Sequence, residues 1–150
     1  WVKLDSIDNT ADNILRKNAT NANGNSFSIY KFRNLYEDGR FAFYVYNESE
    51  TMARLRGPNV SYQTGIWYYL AGTYNGSRLM FYINGIASTD SGYENLTGNI
   101  YNTNGQPFLI GRSNRNFVED FFNGTIDEVV IFDKALTEHE IMVIYKLDLS

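Results

Sequence analysis

Residues 66–83, IWYYLAGTYNGSRLMFYI, constrain the fold more than any other stretch. Bulky apolar and aromatic side chains flank Asn75-Gly76-Ser77, and an Asn-Gly pair between two such runs signals a β-hairpin. One hairpin is marginal in water, so its buried face requires further strands. The chain supplies them. Residues 27–33, FSIYKFR, and 41–46, FAFYVY, alternate on either side of Asp38-Gly39 and predict a second hairpin. Residues 52–56 predict a short strand that Gly57-Pro58 ends, and Asn84-Gly85 turns the chain into another at 86–88. In PFLIGR, 107–112, proline takes the first strand position, where no ladder N–H is lost.

Toward the C-terminus, Asn123-Gly124 leads into Ile126, Val129, Val130, Ile131 and Phe132, a run that reads as a buried strand. Thr137 stands three residues before Glu140, the spacing of a capping box, and Ile141, Ile144 and Tyr145 form one apolar helical face. Within the central hairpin, Trp67, Tyr69, Ala71 and Thr73 are the alternate set expected to fill the space between two sheets, with Tyr68 and Leu70 opposite; Trp67 is thereby expected in the core. Residues 1–4 read as a strand stub and Ile14-Leu15 as a short segment, while 17–26, 91–106 and 113–121 read as loops. With 12 Tyr, 10 Phe and only 2 Pro, the expected class is all-β: a two-sheet antiparallel β-sandwich with one short C-terminal helix.

No repeat or linker divides the 150 residues, which read as a single domain. The formal net charge of −4 and the absence of a basic stripe argue against nucleic acid or an anionic membrane surface as partner. No run of about 20 apolar residues predicts membrane insertion. Cysteine is absent, which excludes disulfides, thiolate metal sites and cysteine nucleophiles. Six N-x-S/T triplets, at Asn18, Asn47, Asn59, Asn75, Asn95 and Asn123, point to a glycosylated protein at the cell surface or outside the cell. The chain opens inside WVKL rather than on Met, the pattern of a segment cut from a longer precursor.

Gly65-Ile66-Trp67, the run from Ala71 to Gly76, LMFYING from Leu79, Phe108 to Gly111, and FNGTIDEV leading to Ala135-Leu136-Thr137 together resemble the laminin G-like, or concanavalin A-like lectin and glucanase, jelly roll. The likeness is tightest between residues 65 and 145. It implies a jelly-roll topology, and a further strand ahead of the Trp1-Val2-Lys3 segment. Either that strand lies upstream or another chain supplies it, because an open sheet edge accepts a strand from elsewhere and permits self-assembly. The resemblance also implies a structural calcium at Asp127, held by carboxylate and carbonyl oxygens. The residues alone offer another role for Asp127, accepting backbone N–H bonds that fix the strand-to-loop geometry.

Jelly rolls of this kind include hydrolases, and retaining glycoside hydrolysis needs two carboxylates about 5 Å apart. The strand-borne acids Asp127 and Glu128 are adjacent and fall on opposite faces, and the lone His139 lies in the first helical turn. The expectation is a non-enzyme. Sugar recognition combines aromatic faces with planar polar groups, and the candidates in the irregular segments flanking PFLIGR are Tyr93, Tyr101, Arg112, Asn114 and Arg115. Tyr30, Tyr44, Tyr46, Tyr68 and Tyr82 are expected to share an aromatic sheet face that binds glycan or protein, or is covered by the closing helix. The function these features predict is an extracellular carbohydrate-binding or adhesion module. The alternatives are a structural subunit completed by strand exchange and a module associated with a glycoside hydrolase.

Overall fold

The computed structural model describes residues 1–7, 12–18, 25–31, 39–88, 94–102, 105–113 and 120–148. Its first strands are β1 (Val2–Leu4), β2 (Asp12–Asn18), β3 (Asn25–Lys31), β4 (Phe41–Tyr46) and β5 (Met52–Arg56). The central hairpin comprises β6 (Trp67–Tyr68), β7 (Leu70–Tyr74) and β8 (Arg78–Ile83), followed by β9 (Ile86–Ala87) and β10 (Glu94–Asn95). Then come β11 (Phe108–Ile110), β12 (Arg112–Ser113), β13 (Asp120–Phe121), β14 (Gly124–Ile126) and the helix α1 (Glu138–Leu147). The short segment predicted around Ile14 is thus a full strand, and residues 17–18 and 25–26, predicted as loop, belong to β2 and β3.

One layer is a five-stranded antiparallel sheet in the order β11-β2-β3-β4-β5. The other consists of β10-β8-β7, with β9 on β8, and β14-β1-β6. Tyr69 joins these two pieces, since it bridges β6 to β7 while exchanging hydrogen bonds with Asn84 at 2.9 Å. Phe41, Phe43, Val45 and Leu55 from the first layer meet Val2, Leu4, Leu79, Phe81 and Ile83 from the second. Each such side chain contributes roughly 1.5–3 kcal/mol on burial. Into this core β2 and β3 also deliver an ion pair, Lys31 Nζ to Asp12 Oδ2 at 3.2 Å, with both side chains 1 % exposed.

The phase of the central hairpin is opposite to that predicted. Tyr68, Leu70 and Tyr74 pack against the main core, whereas Trp67 lies 38 % exposed with Lys3 Nζ 5.0 Å from its ring centroid. Gly72 occupies the inward phase because a Cβ there would stand 2.5 Å from Phe43 Cδ1. On the outer side, Tyr69, Ala71 and Met80 pack with Tyr82, Leu136 and Ile141 under α1. Both faces of the hairpin are therefore covered, and alternation alone could not choose between them.

The run after Ile126 is also not the buried strand expected. Reciprocal bonds between Trp1 and Asp127, at 2.9 and 3.0 Å, are the last rung between β1 and β14. Glu128 then takes φ 49°, and Val129, Val130, Ile131 and Phe132 lie 37–64 % exposed outside any strand. The run is apolar and β-branched, but no partner strand among the described residues reaches it.

The helix matches its prediction. Thr137 Oγ1 accepts the Glu140 N–H at 3.2 Å while Glu140 Oε2 accepts the Thr137 N–H at 2.7 Å, a complete capping box. The Lys134 ammonium and then Thr137 hold the Glu140 carboxyl at a pKa of about 2, below its ordinary 4.5. A carboxylate depressed in the fold stabilises above its unfolded pKa and loses that contribution as pH falls through the folded one. The helical circular-dichroism signal is accordingly expected to weaken between pH 4.5 and about 2. Glu140→Gln should remove that part of the acid response, and an unchanged acid profile in the variant would refute the assignment.

Candidate functional site

An open groove of about 570 Å³ lies where one end of the five-stranded sheet meets the segment after β10. Its location follows from non-local pairing. Residues 99–101 run beside the end of β4, with Glu48 N–H to Asn99 O at 3.0 Å and Tyr101 N–H to Tyr46 O at 2.9 Å. Ser26 Oγ in β3 donates to the Tyr101 carbonyl at 3.1 Å and ties that segment to the sheet. Lys17 Nζ in β2 donates to the Gln106 carbonyl at 2.5 Å, which positions the approach to β11.

Phe27 and Phe108, with ring centroids 6.2 Å apart, form an apolar wall together with Ile100 and Ile131. Tyr101 lies beside them. The polar rim is Lys17, Glu48, Asn99 and Asn102, and Asn99 Nδ2 points to the Glu48 carboxylate at 3.4 and 3.5 Å. Aromatic faces beside amide, carboxylate and ammonium groups suit a ligand with C–H faces and hydroxyls. Glu48 is the single carboxylate among the described lining residues, whereas glycoside hydrolysis uses two.

Of the predicted sugar-binding residues, Tyr101 lies in this groove. Arg112 does not. It follows Gly111 (φ 71°) into β12, where it pairs with Phe121. Tyr93, Asn114 and Arg115 fall outside the described residues. The predicted tyrosine face divides three ways. Tyr30, Tyr44 and Tyr46 form one cluster with centroids 5.3 and 5.7 Å apart, Tyr68 turns to Phe41 and Tyr62, and Tyr82 is buried beneath α1.

At Asp127, Oδ1 accepts the Glu128 N–H at 2.8 Å and the backbone carbonyl accepts the Trp1 α-ammonium at 2.9 Å. The carboxylate thus fixes the turn that ends the ladder. Calcium takes six to eight oxygens. Among the described residues no group of three or more Asp, Glu, His or Cys gathers to hold a metal. Among the sequons, the fold closes Asn18 and Asn47, 7 % and 6 % exposed, and Asn47 Nδ2 already donates to the Thr97 carbonyl at 2.8 Å. Asn59, Asn75, Asn95 and Asn123 are exposed.

Sandwich, closing helix and rim groove together define a protein of the lectin-like β-sandwich class. The sequence matches the Laminin_G_3 family of the concanavalin A-like lectin/glucanases superfamily over residues 1–142, and the chain belongs to that family. Among curated protein sequences none matches it. Similar solved structures include the receptor binding domain of botulinum neurotoxin D, at TM-score 0.62 and 15 % identity, covering 99 % of this chain and 35 % of that one. Another is the binding domain of Paraclostridial Mosquitocidal Protein 1, at TM-score 0.61 and 16 % identity, with coverage of 99 % and 35 %. A third is the botulinum neurotoxin D ligand binding domain in complex with N-acetylneuraminic acid, at TM-score 0.57, 15 % identity and coverage of 99 % and 35 %. The chain spans about a third of each, and at these identities the likeness is one of fold.

Proposed function

We propose that this is a non-catalytic recognition module of a secreted or surface polypeptide that binds carbohydrate in the groove at Tyr101. The observation carrying this reading is the convergence there of an aromatic wall with an Asn, Glu and Lys rim. Membership of a lectin-like family supports it, as does a similar fold solved with N-acetylneuraminic acid. A sugar lays its C–H face on Tyr101, and Asn99, Asn102 and Glu48 meet its hydroxyls.

Titration against neutral and sialylated oligosaccharides, with calcium and with chelator, tests the reading. An aromatic face contributes about 1 kcal/mol beyond its area, so Tyr101→Ala is expected to weaken binding roughly five- to tenfold. No binding across the panel, or equal binding by the variant, would exclude the groove.

A further inference from the structure

The rim of the Tyr101 groove carries one charge of each sign. Lys17 stands in register between Phe27 and Phe108 and directs one N–H to the Gln106 carbonyl at 2.5 Å. Glu48 is exposed just beyond β4, and its carboxylate receives the Asn99 amide at 3.4 and 3.5 Å. Among the described residues neither enters an ion pair, with the other or with a third group. The backbone beneath this rim is preset from both layers. Side chains hold the three successive carbonyls that lead to Asn99: the Tyr74 hydroxyl of β7 is shared between those of Leu96 and Gly98, at 2.8 and 2.5 Å, and Asn47 Nδ2 donates to that of Thr97 at 2.8 Å. Asn47 Oδ1 is fixed in turn by the Thr51 N–H at 2.8 Å, and the Asn99 carbonyl accepts the Glu48 N–H at 3.0 Å.

We propose that the groove selects uncharged glycans, with Glu48 accepting from neighbouring sugar hydroxyls and excluding acidic sugars. The proposal rests on the reading of this groove as a sugar site and names the class of sugar. A hydroxyl is donor and acceptor at once, so one kind of group satisfies both rim charges. It donates to Glu48 and accepts from the N–H groups of Lys17 that Gln106 does not use. A carboxylate or sulfate suits Lys17 alone and meets Glu48 as a like charge. An ammonium suits Glu48 alone and meets Lys17. Hydrogen bonds to an ionised acceptor are roughly twice as strong as neutral ones, so a carboxylate without a counter-ion gains most from a pair of adjacent hydroxyl donors. Repulsion of the wrong ligand then supplies the specificity.

The test titrates the chain and its Glu48→Gln variant with two sets of probes matched in all but charge. One set is linear oligosaccharides of equal length built from glucose, glucosamine or glucuronic acid, at mildly acidic pH where the glucosamine amines are protonated. The other is N-acetyllactosamine with and without a terminal sialic acid. The neutral member of each set is expected to bind roughly tenfold or more tighter than its charged counterparts. Glu48→Gln keeps an acceptor without the charge, so discrimination against the glucuronic and sialyl probes should fall to about threefold or less, while that against glucosamine remains. Raising the ionic strength from about 0.01 to about 0.1 M should narrow the same ratios in the parent chain, a readout that needs no variant. Equal or tighter binding of a charged probe by the parent chain overturns the proposal and leaves the sugar site standing. Ratios that move neither in Glu48→Gln nor with salt do the same. Binding of none of the probes overturns the sugar reading and this one together.

Discussion

Asp12→Ala is expected to destabilise the protein by roughly 3–5 kcal/mol, the cost of leaving one member of a buried ion pair without its counter-ion. Lys31 lies in register opposite Phe41 and is 1 % exposed, so its ammonium loses the Asp12 carboxylate in a setting that offers little water in exchange. For a chain of this length the loss corresponds to a fall in Tm of roughly 10 °C. Joint replacement, Asp12→Leu with Lys31→Met, removes both charges and should recover most of the stability, because the pair's attraction does little more than offset its desolvation. Urea melts of the two variants decide the matter. A single variant within about 1 kcal/mol of the parent, or a double variant as unstable as the single, would show that the pair is not dry.

That pair also marks the limit of what the sequence discloses. The strands at 41–46 and 52–56, the central hairpin and the helix are legible because their determinants are local: alternation, Asn-Gly turns and the Thr137–Glu140 box. Lys31 and Asp12 belong to the core through strand register alone, which no window of residues contains. Trp67 takes the face opposite to the one that alternation predicts because α1 supplies a second apolar layer, so apolar residues occur on both phases of 67–74. Val129 to Phe132 have the composition of a buried strand, yet burial depends on a neighbour that composition does not encode.

The candidate site follows the same division. Tyr101 was legible as an aromatic residue in a long irregular segment. Lys17, Glu48 and Asn99 were not, because three separate elements bring them together, and Phe27 and Phe108 carry no mark distinguishing a groove wall from a core. Asn99 and Asn102 lie in the polar stretch that the sequence flags only as long and unstructured.

Gly124→Ala is expected to cost about 3 kcal/mol, the upper end of what overpacking costs. The Asn123-Gly124 pair reads as a turn, but Gly124 opens β14 directly opposite Leu4. A Cβ there would stand 2.1 Å from the Lys3 carbonyl and 2.8 Å from Phe122 Cε1, and the first of these neighbours is backbone that cannot rotate aside. Relief requires β1 to shift as a unit. That shift moves Lys3 from Trp67 and Trp1 from Tyr69 and Tyr145, so the tryptophan emission should change together with a fall in Tm of roughly 10 °C. Gly65→Ala provides the contrast: φ is 74° with no atom within 4 Å of the added Cβ, so only backbone strain opposes it. That strain costs about 1 kcal/mol. Should Gly124→Ala prove no worse than Gly65→Ala, with unchanged tryptophan emission, the close approach of β14 to β1 would not be what holds the N-terminal strand in place.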